Sequence, residues 1–73
     1  MATAMHIRTK SNSHYRIEGN WCEVSRAVGH PLGEREEFLI SGWVFNTEDN
    51  TIRIYCVGAP DVVTSEVHIM WAK

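Results

Sequence analysis

The sequence predicts a small α+β domain: an antiparallel sheet of four to five strands with one short helix over about residues 20–28. Three observations carry this expectation. Apolar residues alternate with polar ones over several short runs, most cleanly in "TIRIYCV", where Ile52, Ile54 and Cys56 stand on one side and Arg53 and Tyr55 on the other. Turn-forming clusters, "KSNS" and "NTEDN", separate those runs. Between them "GNWCEVSRAVGHP" carries start and stop signals for a helix. A small all-β barrel is the alternative fold, reached by reading those same residues as a strand.

The elements follow in order. "AMHIRTK" alternates Met5 and Ile7 with His6 and Arg8, which makes residues 1–13 either a weak first strand or a mobile N-terminal arm. After the Ser/Asn turn, Tyr15 and Ile17 alternate with His14, Arg16 and Glu18. In the next segment Asn20 is a capping residue, with Glu23 three positions on in the place a capping box requires. Gly29 suits the left-handed end of a helix and Pro31 stops continuation. Trp21, Val24 and Val28 would form its apolar stripe, and two turns need docking to persist. "HPLGEREE" reads as a loop, and "FLISGWVF" as a central strand with Gly42 at a bulge or close approach. Asp49 and Asn50 suit the backbone angles of a tight hairpin. In "VVTSEVHIMWAK", Val67, Ile69 and Trp71 alternate with Glu66, His68 and Met70, which favours a strand from about Glu66. Val63, Val67, Met70 and Trp71 also fit a helical stripe.

With 73 residues the chain makes one small domain with a thin core. Its three Trp, two Tyr and two Phe argue against disorder. A net charge of −2 and a pI near 6.0 argue against nucleic-acid binding. The charge is divided. Residues 1–26 hold four cations against two carboxylates, and residues 27–73 hold three cations against seven carboxylates. Two cysteines, Cys22 and Cys56, are too few to staple a secreted fold. The start of the chain lacks a signal-peptide apolar core, and no later run is long enough to span a membrane. These readings lead to a cytoplasmic protein with reduced thiols, one disulfide being the alternative.

No metal or cofactor is expected. His6, His14, His30, His68, Cys22 and Cys56 lack the close paired spacing of zinc ligands. No nucleophile–base arrangement or phosphate-binding glycine loop can be read from the spacing, so no catalytic residue is assigned. Unbroken alternation through the central strand puts Ile40 and Val44 on one face and Leu39, Trp43 and Phe45 on the other. Tyr55 joins the second face. One short helix covers only one side of a sheet, so this second apolar face calls for a barrel, a partner or second copy, or a covering arm.

"GWVFNTEDNTIRIYCVGAPD", Gly42 to Asp61, resembles the acylphosphatase segment in which Gly-Trp-Val-x-Asn leads into a hairpin and then Gly-Pro. The resemblance implies hydrolysis of an acyl phosphate, with Asn46 orienting the attacking water. It also implies a phosphate-holding loop and arginine ahead of a first helix, where "IEGNWCEVSR" would stand. That stretch is one residue short and has Glu23 where a glycine would help such a loop.

The function expected from the residues themselves is non-enzymatic binding by protein–protein contact. A small inhibitor or regulator, of the kind a phage or mobile element encodes, suits the size. Leu39, Trp43, Phe45 and Tyr55 would form the apolar centre, and Glu34, Glu36 and Glu37 an acidic rim, with a protein partner or a second copy opposite. A single-stranded nucleic-acid edge made of Arg8, Lys10, Tyr15 and Arg16 is a third, weaker reading.

Overall fold

The computed structural model of the protein describes residues 3–73. Seven strands form one antiparallel sheet: β1 (Met5–Thr9), β2 (His14–Glu18), β3 (Trp21–Ser25), β4 (Arg35–Asn46), β5 (Thr51–Cys56), β6 (Val62–Val63) and β7 (Val67–Ala72). Their order is β6-β5-β4-β3-β2-β1-β7. The two edge strands are therefore consecutive in sequence. Laid flat, seven strands would put those edges about 29 Å apart. The three residues between β6 and β7 span at most about 14 Å. The sheet must curl, and the chain from Val62 onward closes it. Thr64 N donates to Ile52 O (2.9 Å) and Val67 N to Asn50 O (2.7 Å), before β7 pairs with β1.

The expected helix over residues 20–28 is absent, and with it the α+β class: no described residue is helical. The alternative of a small all-β fold fits. Gly19, at φ 58°, and Asn20 form a tight turn between β2 and β3, so Asn20 does not cap a helix. The glycine-first order is that of type II′ hairpins. Cys22 and Val24 then point inward, while Trp21 and Ser25 point out. Two helical turns gain little without a docking partner, whereas here Trp21–Ser25 pair on both sides, with β2 and β4. Gly29 does take a left-handed backbone, at φ 83°, but in the loop after β3.

Residues 5–9, read as strand or arm, form β1 between β2 and β7; residues 1 and 2 lie outside the described residues. The "KSNS" turn holds, with Asn12 at φ 69°. Residues 67–72 are strand.

Two irregularities set which side chains face inward. In β4, Ile40 pairs with Cys56 and Gly42 with Tyr55, so Ser41 is an extra residue. In β7, Thr9 pairs with Val67 and Arg8 with Ile69, so His68 is extra. Each bulge reverses the alternation beyond it. Trp43 and Phe45 consequently pack against the core with Ile40, and they do not share the outward face of Leu39. Beyond His68, Met70 packs against the core while Ile69 is exposed and Trp71 pairs with outward His6. The core itself is Ile7, Tyr15, Ile17, Cys22, Val24, Ile40, Ile52, Ile54 and Val67, drawn from six of the seven strands.

Candidate functional site

The outer surface divides into two faces. On the first, β3, β4 and β5 present apolar side chains to solvent. Trp21 (37% exposed) stands opposite Leu39 (52%) across the β3–β4 ladder. Val57 (59%) follows β5, and its N–H donates to Leu39 O at 3.0 Å. Tyr55 (39%) lies opposite Gly42. Val44 and Val63 extend the band on either side of Arg53. A Cβ at Gly42 would meet nothing within 4 Å, so that glycine belongs to the bulge and not to a close approach.

Carboxylates border this band unevenly. Glu37 shares the outward side of β4 with Leu39 and stands opposite Glu23. Glu23 is held by Arg16 at 3.5 Å and Arg35 at 3.2 Å, whereas Glu37 makes no ion pair among the described residues. Glu34 is exposed, and its carbonyl accepts from Arg26 N at 2.8 Å. Glu36 does not join the outward rim. It stands opposite inward Val24, and its carboxylate binds Arg26 at 3.0 Å. The Arg26 side chain is only 7% exposed and also reaches Leu32 O at 3.4 Å, fastening the loop after β3.

Of the residues read from sequence as a binding centre, the structure brings Leu39, Tyr55 and Glu37 to one outward face. Trp43 and Phe45 are half-buried beneath it. Trp21 and Val57 were missed. A helix over residues 20–28 puts Trp21 on the apolar stripe, and only the strand reading of "WCEVS" turns it outward.

The second face belongs to β7, β1 and β2. Its outward residues are Ile69, Trp71, His6, Arg8, His14 and Arg16. His6 Nδ1 and His14 Nε2 lie 3.0 Å apart, and Trp71 is nearly parallel to both rings. Burial, then the charges of His6 and Arg8, hold His14 below the ordinary histidine value. Tyr15 points into the core, where burial pushes its hydroxyl up, so it does not join Arg8 and Arg16 in an outward aromatic edge.

Both cysteines are free thiols. Cys22 is fully buried and pushed up to about 12, mainly by burial, which makes it a poor nucleophile. Cys56 is raised as well, again chiefly by burial. Asn46 Oδ1 accepts from Glu48 N at 2.9 Å, and Asp49 Oδ1 from Thr51 N at 3.2 Å, so both side chains shape the β4–β5 turn. The stretch Ile17–Arg26, where the acylphosphatase resemblance would put a phosphate loop and helix, is mostly paired strand and tight turn. Among the described residues no group of three or more His, Cys, Asp or Glu could hold a metal, and no helix is long and apolar enough to cross a membrane. No family model matches the chain, and no curated protein or solved structure matches it.

Proposed function

We propose that this protein is a small binding module, inhibitor-like or regulatory, acting by protein–protein contact through the outward band Trp21, Leu39, Tyr55 and Val57. The observation that carries this reading is the adjacency of Trp21, Leu39 and Val57, three exposed apolar side chains tied to neighbouring positions of one ladder. Fully burying a large apolar side chain is worth about 1.5–3 kcal/mol, so a contiguous set left in water favours a partner that covers it. The rim favours a basic partner: Glu37, beside Leu39 on the outward side of β4, makes no ion pair among the described residues. Trp43 and Phe45 act from below, as the packed support of the band. Their place among the contact residues passes to Trp21 and Val57.

The test compares wild type with Leu39→Lys as bait in extracts of the source cells, at low and high salt. Leu39 is half exposed, so its replacement leaves the core intact. The reading expects a bound protein with a basic surface, released both by salt and by Leu39→Lys. The same proteins retained on both baits would sink it. A concentration-dependent dimer of the purified protein, abolished by Leu39→Lys, would assign the band to a second copy instead.

A further inference from the structure

The rings on the β7–β1–β2 face have a geometry that the binding band does not explain. The His6 and His14 centroids are 5.2 Å apart with planes 21° apart, and the nearest nitrogens are 3.0 Å apart. Two ring radii and one hydrogen bond laid end to end give that separation, so the imidazoles meet edge to edge. Trp71 is within 7° of His6 and 14° of His14, with centroids at 5.0 and 5.6 Å. It is close to both rings at once and covers the pair.

An imidazole–imidazole hydrogen bond needs one N–H and one lone pair. The surroundings offer little to a second proton. From β1, Arg8 stands opposite His14; from β2, Arg16 stands opposite His6. From β3, Ser25 faces His14 across the ladder. From β7, Trp71 and Ile69 pair with His6 and Arg8 and bring no charge, and Lys73 follows them. The nearby carboxylates, Glu18 and Glu23, are already bound to Arg16. Neither imidazole has a carboxylate partner among the described residues.

The position matters as much as the chemistry. Among the described residues β1 is the only strand that β7 pairs with. The start of β7 is also pinned by Asn50, whose Nδ2 donates to Val67 O at 2.7 Å. From Ile69 onward the strand depends on its ladder with β1 and on Trp71.

We propose that the His6–His14 pair, which meets across β1 and β2, is a proton-sensitive clasp beside the β1–β7 seam. With one lone pair available between the rings, the pair holds together under Trp71 and keeps β7 on β1. A second proton sets N–H against N–H and one imidazolium against another. The rings separate, Trp71 loses its platform, and the ladder from Ile69 to Ala72 loosens, leaving β1 as an open edge.

Amide hydrogen exchange followed by NMR tests this, with rates corrected for the intrinsic pH dependence. Between pH 7.5 and 5.5, β7 amides should lose protection about tenfold or more relative to β5 amides, and the Trp71 indole N–H signal should shift. His14→Gln keeps a hydrogen-bonding side chain without a titrating proton, so the β7-specific change should vanish. His6→Gln serves the same purpose should the first variant fold poorly. Equal loss of protection in β5 and β7 of the wild type would overturn the proposal. A β7-specific loss that persists in the folded glutamine variants would overturn it too.

Discussion

On the β7–β1–β2 face the ring and carboxylate-bound side chains are tied to one another, and Ile69 is the exposed apolar residue. His6 bonds His14 under Trp71, and Arg16 reaches Glu18 and Glu23. On the β3–β4–β5 face, Trp21, Leu39, Tyr55 and Val57 stand in solvent, and Glu37 makes no ion pair among the described residues. The charge division seen along the chain becomes spatial. Residues 3–18 and 64–73, which hold β1, β2 and β7, have four cations against two carboxylates; residues 19–63 have three against seven. The comparison teaches that exposure alone does not mark a binding surface. A face whose groups are mutually satisfied gains less from a partner than one whose apolar groups and charges lack neighbours.

The comparison rests on which side each aromatic ring faces. The largest effect is expected from Trp43→Ala, at about 3 kcal/mol, since it removes a ring packed against the core. Trp21→Ala should cost no more than about 1 kcal/mol. Equal costs for the two tryptophans, measured by urea unfolding, would erase the distinction between inside and outside. A smaller effect comes with acid. His14 is held below the ordinary histidine value chiefly by burial, so the unfolded chain binds this proton more tightly than the folded one. Stability is therefore expected to fall as pH drops below about 6.5 and to level off below the lowered value. His14→Gln should flatten that part of the stability–pH curve. Leu39→Lys should change stability least, by less than about 0.5 kcal/mol, and act on binding alone.

Much of the sheet was legible in the residues. The alternation of Ile52 and Ile54 with Arg53 and Tyr55 gave β5 its inward side, and the turns at "KSNS" and "NTEDN" lie where Asn12 and Asn50 take positive φ. Residues 20–28 misled because capping residues and hairpin residues are the same types: a glycine and an asparagine before Trp21 serve either a helix start or a II′ turn. Only pairing with β2 and β4 decides between them, and pairing is a long-range fact. The site was legible in part. Leu39 and Tyr55 are outward as the alternation required. Unbroken alternation puts Trp43 and Phe45 on the wrong side, because a bulge costs one residue of register and leaves little trace in composition. Gly42 was such a trace, one position from the inserted Ser41. His68 gave none, so the stack of Trp71 over His6 and His14 was out of reach.

The seam between β1 and β7 has a kinetic consequence. It joins Met5 to Ala72 and Arg8 to Ile69, the most sequence-distant pairings in the molecule. Hairpins such as β1–β2 and β4–β5 close short loops and form early, on the microsecond scale. The seam must wait for nearly all of the chain to be in place, and topologies dominated by such distant pairings fold in milliseconds to seconds. Until then β1 has an unsatisfied edge, and the interval before closure is when this chain is most exposed to pairing with another copy of itself.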